Sequence, residues 1–286
     1  MATLQNKIDF ALILRVKNAN PNGDPLNGNR PRTDYSNFGE MSDVSIKRKI
    51  RDRLLENGHS IFVQSDDRKI DNAKSLRERA ENALGSKLGS SETYVLACKT
   101  WFDVRAFGQL FALKSKKAGN KKKEEGNEEE GDTAGISIGI RGPVTIQSAF
   151  SVEPIDISSI QITKSVSNEG DGTKRSSDTM GMKHRVEHGV YVFYGSMNPQ
   201  LAEKTGFSDA DADVIKQVLP KLFENDESSA RPAGSMEVLK VIWWKHNCKS
   251  GQYSSAKSHA SIKVNPDGSY QLHHLPGLVP EEIDGF

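Results

Sequence analysis

The sequence predicts an α+β fold built on an antiparallel sheet, and three observations predict it. Over residues 7–16, Ile8, Phe10, Leu12, Leu14 and Val16 alternate with Lys7, Asp9, Ala11, Ile13 and Arg15, the period of a strand with one face strongly buried. Residues 186–197 are dense in Val, Tyr and Phe, the composition of a strand buried on both faces in the middle of a sheet. Residues 43–57 and 210–223 carry apolar side chains at helical spacing.

In chain order, the first strand runs into 18–34, NANPNGDPLNGNRPRTD, where three prolines forbid regular structure and Gly23 and Gly28 permit positive φ. Such a loop either connects elements over the surface or brings bare backbone N–H groups against phosphate, with Arg30 and Arg32 close by. Its length favours the second use. Ser42 and Asp43 are N-cap residues and Gly58 stands where a C-cap glycine belongs, so a helix spans 43–57. Ile46, Ile50 and Leu54 form its apolar stripe, with Lys47 and Arg51 together along the edge. That pair suits phosphate; the alternative is a solvated face partly neutralised by Asp52 and Glu56.

The pattern weakens over 59–100, with a polar turn at 64–67, a helix over 72–84 and a glycine-bounded stretch at 85–89. The run 93–111 is apolar and ambiguous between helix and strand, and the whole region reads as an insertion packed on the main sheet. Arg105 is its candidate contact residue, with an ion-pair role as the equal alternative. The tract 114–134 separates a Lys block from a Glu block with almost no apolar residue and is expected to be disordered.

Order returns at 139–143, GIRGP, and a strand over 144–152 closed by Pro154. A polar, Gly/Ser-rich arm at about 163–185 ends in Lys183, His184 and Arg185 and feeds into the central strand, which gives it a rigid base. Asn198 and Pro199 open a short helix ending near Gly206, and Ser208 with Asp209 caps the helix over 210–223. A loop at 228–234 carries Arg231. Residues 236–244 form the last main strand, with Trp243 and Trp244 on opposite faces, and 262–264 and 270–272 flank a hairpin turn. Without its insertions the order is β-α-β-β-α-β, the split ferredoxin-like arrangement shared by RNA-recognition domains. That arrangement alone licenses no function.

Composition narrows the classes. Thirty-nine Lys and Arg against thirty-eight Asp and Glu leave a net charge of +1, so nucleic-acid binding would need segregated charge. Cys98 and Cys248 have no metal spacing and form no framework, which favours a reduced cytosolic protein. No apolar run approaches the roughly 18 residues of a membrane span. A cytoplasmic chain without membrane contact is expected.

Six motifs in one order, NPNGDP at 20–25, SDVSIKRKIRD at 42–52, DVRAFG at 103–108, IRGPV at 140–144, DTMGMKHRV at 178–186 and SSARP at 228–232, resemble the backbone subunit of the type I-C CRISPR Cascade complex, within the RAMP superfamily. The resemblance runs from about residue 10 to 244, and the charged tract is its main departure. It implies a modified RNA-recognition fold shaped like a hand. The palm would take about 5–41, 135–162 and 186–286, the helical finger insertion 42–113, and the thumb 163–185. It further implies a head-to-tail array along the spacer of a CRISPR RNA, bound to other Cascade subunits, that presents the guide to a target DNA strand. A recruited nuclease-helicase would then cut the DNA in antiviral defence.

The expected RNA contacts are Asn20, Asn22, Gly23, Arg30 and Arg32 of the first loop, Ser42, Lys47, Arg48 and Arg51 of the helix, Arg105, Arg141, Lys164, Lys183, His184, Arg185 and Arg231. Accepting any spacer requires contacts to phosphate and ribose that leave the bases free. Met180 and Met182 suit a wedge at a displaced base, or else a small buried anchor for the arm.

Hydrolysis is the rival, because related type III backbone subunits cut RNA with a loop aspartate, a role Asp24 or Asp34 would take. A carboxylate beside Lys and Arg more often orients them as an ion-pair partner. His184 and His188 are four apart, a metal spacing only on a helix. His246 with Cys248, and His273 with His274, lack a four-ligand set. No motif unites a nucleophile, a base and an orienting group, so a non-catalytic scaffold without metal or cofactor is expected.

Overall fold

The computed structural model describes residues 2–113, 136–163 and 180–286. The predicted disorder at 114–134, the middle of the arm and Lys164 lie outside them. The first long strand is β1 (Ile8–Ala19). The loop after it holds a minimal hairpin, β2 (Gly23–Asp24) and β3 (Arg30–Pro31), and leads to β4 (Phe38–Met41) and helix α1 (Asp43–Glu56). Ser42 accepts from the N–H of Ser45 at the start of α1, and Gly58 just past its end has a φ of 81°, as the capping residues predict.

Helices α2 (Leu76–Leu84), α3 (Thr93–Thr100) and α4 (Phe102–Phe107) follow, then the hairpin of β5 (Gly108–Leu113) and β6 (Ile136–Arg141). The ambiguous run 93–111 is thus both helix and strand, switching at Gly108. Its φ of 82° ends α4, and no L side chain fits that position without strain. The predicted strand over 144–152 is two, β7 (Val144–Ile146) and β8 (Ala149–Pro154), whose registers against residues 191–197 differ by one residue, as at a β-bulge.

β9 (Ile157–Thr163) and β10 (Met180–Met197) correct the reading of the arm. The central strand starts at Met180, six residues before Val186. From Met180 to Val186 it pairs with β9 as a two-stranded ribbon projecting beyond the sheet. Backbone pairing, rather than apolar composition, makes this polar stretch a strand.

Helices α5 (Pro199–Thr205) and α6 (Asp209–Val218) come next. α6 stops five residues short of Phe223, because Pro220 turns the chain into a 3-10 turn. β11 (Met236–Lys245), helix α7 (Ser255–His259), the predicted hairpin β12 (Ile262–Val264) and β13 (Tyr270–Leu272), and the edge strand β14 (Glu281–Asp284) complete the chain.

The main sheet has the order β14-β11-β1-β10-β8-β4, with β7 and β9 also on β10, and its pairings are antiparallel. α1 and α6 pack on one face. Ile46, Ile50 and Leu54 meet Ile215 and Val218 over Phe10, Leu12, Leu14 and Val16 there. The other face of β1 is also buried. Ala11 and Ile13, with Val190, Ile242 and Trp244, lie under Ile262, Leu275 and Leu278 of the C-terminal segment. This cover corrects the expectation of one buried face. Beneath it Asp9 is fully buried, accepting from His246 Nε2 at 2.9 Å and facing Lys7 Nζ at 3.0 Å. Burial raises the pKa of Asp9, but its bonds to His246, Ser255 and Lys7 win and hold it below the usual carboxylate range. A separate cluster of Phe62, Ala97, Trp101, Phe111 and Ile140 forms the core of the helical insertion. Among the described residues no helix is long and apolar enough to cross a membrane.

Candidate nucleic-acid interface

The run KRKIR on α1 distributes its cations around the helix, since each residue advances about 100°. Lys47 faces outward, 3.0 Å from Asp43 one turn earlier. Arg48 turns to Asp52 and Asp67, at 3.6 and 3.5 Å. Arg51 is drawn inward, its Nε 2.9 Å from the buried carboxylate of Asp103 and its guanidinium over the ring of Phe107. Lys49, one turn beyond Ile46, points into the core side and is almost fully buried.

Lys47 and Arg141 line one open groove together with Gly108, Gly139, Gly142 and Thr145 and the apolar residues Phe107, Leu110, Val144 and Ile146. Glycine is required where β6 passes α4. A Cβ on Gly142 would stand 2.3 Å from the carbonyl of Ala106, and one on Gly108 2.2 Å from that of Ile140. Two cations on one groove can hold a polyanion by its phosphates without reading base identity.

The first loop is tied to its neighbours side chain by side chain. Asn22 Oδ1 accepts from the N–H and Oγ of Ser42, at 2.9 and 3.0 Å, which joins the loop to the start of α1. Gly23 lets Asn29 fold back, since a Cβ there would collide with the Asn29 side chain. Arg32 lies 3.4 Å from Asp24, which also accepts from the N–H of Leu26, while Asp34 accepts from the N–H groups of Ser36 and Phe38. Asn20 is buried, donating to the carbonyl of Asn29 at 2.6 Å.

Arg30 Nη1 reaches Ser159 Oγ at 3.1 Å, and Ser159 Oγ in turn lies 2.8 Å from His184 Nδ1, so one hydroxyl links the loop to both strands of the ribbon. Arg185 donates to Ser158 at 3.2 Å. Asn20, Gly28 and Asn29 share a cleft of about 350 Å³ with Ile162, Met182, Lys183, His184 and Ala230. Met180 and Met182 are exposed on the ribbon, 64% and 54%, rather than buried as an anchor.

Arg105 and Arg231, like the cations of α1, sit in ion pairs. Arg105 holds Asp211 through two bonds, 3.1 and 2.7 Å, stacks over Phe102, and ties α4 to α6. Arg231 donates from Nε to Asp226 Oδ2 at 2.9 Å, an oxygen that Lys49 also contacts. The loop is anchored by a bond from the N–H of Asn20 to the carbonyl of Ala230, which sets Arg231 beside the first loop. Lys49, Asp103 and Ser159 are the side chains sequence reading passed over. Only Lys49 carried a signal, its three-residue spacing from Ile46 on the apolar stripe. Among the described residues no group of His, Cys, Asp and Glu has metal-holding geometry.

Comparison of the sequence with known proteins shows its family. A curated relative from Haloferax volcanii, described as "CRISPR-associated protein Cas7", is 24% identical over 289 residues, covering 98% of this chain and 81% of its own. A chain described as "CRISPR RNA-guided surveillance complex, pre-nicking" is 15% identical with a TM-score of 0.47, over 83% of this chain and 78% of that one. Another, "CRISPR RNA-guided surveillance complex", is 16% identical with a TM-score of 0.45, over 92% and 77%. The family model described as "CRISPR-associated protein Cas7" matches residues 6–275, nearly the whole sequence. The chain therefore belongs to the CRISPR-associated protein Cas7 family.

Proposed function

We propose that this chain is a non-catalytic, CRISPR RNA-binding backbone subunit of a type I-C Cascade complex in the cytoplasm. Copies stack head to tail along the guide spacer, contact the other Cascade subunits and present the guide to target DNA, which a recruited nuclease-helicase cuts. The sheet order β11-β1-β10-β8, with α1 before β8 and α5 and α6 before β11, supports a ferredoxin-like palm. The helical insertion serves as fingers and the β9–β10 ribbon as the base of the thumb.

The observation that carries this reading is the open groove that brings Lys47 and Arg141 together beside Gly108, Gly139 and Gly142. It sets two cations among glycines and apolar residues, a lining that can hold the charged backbone of a guide of arbitrary sequence. The loop cleft lined by Lys183 adds a further cation, and the exposure of Met180 and Met182 supports reading them as a wedge at a displaced base. The non-catalytic reading is supported by Asp24 and Asp34, whose carboxylates are engaged by Arg32 and by loop N–H groups.

The test is the double variant Lys47→Glu with Arg141→Glu, titrated with single-stranded RNAs of unrelated sequence. Affinity should fall at least about tenfold, equally for every RNA. A loss confined to particular sequences, or none, would refute the groove as a backbone site.

A further inference from the structure

Asp226 Oδ2 is shared. It accepts from Arg231 Nε at 2.9 Å and pairs with Lys49 Nζ, which is 4% exposed and also lies 5.5 Å from the ring centroid of Phe223. Two cations on one carboxylate leave the cluster with an excess positive charge. The only member with appreciable exposure is Arg231, at 22%. Its bond to Asp226 uses Nε rather than Nη1 or Nη2, and its loop is pinned next to Asn20.

We infer that Lys49 is a positioning residue for RNA binding: by taking a share of Asp226 from the core side, it keeps Arg231 electrostatically free to hold a backbone phosphate. The inference rests on the proposed function, and it adds a residue that never meets the RNA. With Lys49 charged, the trio carries a net +1 beside the phosphate. With Lys49 neutral, Asp226 cancels Arg231 and the attraction falls.

The cluster also makes the effect titratable. Burial drives the Lys49 ammonium down to about 8; Asp226 opposes the shift, and Arg231 and Arg48 add to it. The other charged groups around it are Asp52 on the same helix and, paired to Asp52, Arg48 and Arg68, with Asp67 beyond. Burial pushes Asp52 up from the ordinary carboxylate range. Carboxylates and guanidiniums do not change charge between pH 7 and 9, so within this cluster Lys49 alone does.

The experiment measures affinity of the full chain for one guide-length single-stranded RNA at pH 7, 8 and 9, at low and constant salt. Wild type should weaken by about three- to tenfold from pH 7 to 9, the effect of removing one partly screened charge from beside a phosphate. Lys49→Arg keeps its charge throughout and should hold the pH 7 affinity at pH 9. Lys49→Met, a volume-conserving change in an apolar surround, should show the weaker affinity at every pH. A wild-type profile flat across this range, or a Lys49→Arg variant that weakens as wild type does, would overturn the inference while leaving RNA binding in place. Wild type that binds no RNA at any pH would overturn the proposed function, and the inference with it.

Discussion

Arg51 and Asp103 form the strut between α1 and α4: Nε stands 2.9 Å from a carboxylate that is 1% exposed and that also accepts from the N–H groups of Phe62 and Val63. Asp103→Ala would strand a guanidinium and two backbone donors at once. The expected loss is about 3–5 kcal/mol of unfolding free energy, read from the urea midpoint at unchanged slope. Arg51→Met keeps cover on the Phe107 ring and should cost less. If Asp103→Ala cost under about 1 kcal/mol, the strut would not be what ties the helical insertion to the sheet.

Periodicity made most of this fold legible, and its failures have one physical origin. β1 and the apolar stripe of α1 follow from spacing alone. The second buried face of β1 did not, because the cover comes from 253–278, more than two hundred residues away. The ribbon half of β10 was missed because its polar residues are held by backbone pairing to β9. The candidate interface follows the same rule. Lys47, Arg141 and the first loop announce themselves by residue type, whereas Asp103, Ser159 and Asp226 matter through partners that only the folded chain brings near.

Lys49 has a consequence for stability as well as binding. Its folded value of about 8 lies below that of an exposed lysine, so between about pH 8 and 10 the unfolded chain holds more protons than the folded one. Stability contributed by this group should therefore rise with pH across that window, by up to about 3 kcal/mol. Denaturation of wild type against Lys49→Met at pH 7 and 10 checks the sign. Were wild type to lose ground to Lys49→Met on going from pH 7 to 10, the pairing with Asp226 would outweigh burial and the folded value would lie above the unfolded one.

At acid pH one contributing pair is Arg105 with Asp211. Burial raises the pKa of Asp211, yet the bonds from Arg105 and the capping interactions with Ser208 outweigh it and hold the carboxyl below its ordinary value. Its contribution is complete above the unfolded value, near 4, and is lost as pH falls through the lower folded one. Asp211→Asn should lower stability at pH 7 and flatten the fall from pH 5 to 2. A thermal melt series in which the variant keeps the wild-type acid slope would assign that slope to other carboxylates.

The carboxylates of the first loop give a test of chemistry. Asp24 accepts from the N–H of Leu26 and faces Arg32 at 3.4 Å, so Asp24→Asn should weaken the hold on Arg32. Incubation of wild type with labelled RNA and Mg²⁺ or Mn²⁺ should yield no fragments, and the variant should bind RNA as well as wild type or slightly better, one negative charge having left the loop. Metal-dependent cuts that disappear in Asp24→Asn would instead make this loop a nuclease site.

Ser159 is the joint between loop and ribbon. Its oxygen accepts from Arg30 Nη1, so its own proton is available to His184 Nδ1, and the chain of two bonds runs from β3 across β9 to β10. Ser159 lies on an exposed face and carries little of the core, so Ser159→Ala should leave the melting temperature within a degree or two. What it should release is the ribbon. Amide hydrogen exchange over 180–186 should quicken relative to the rest of β10, and RNA affinity should fall a few-fold as Arg30 loses its rest position. A variant with faster exchange throughout the sheet would place Ser159 in the core's stability. One with unchanged exchange over 180–186 would show that strand pairing with β9 fixes the ribbon without help from the loop.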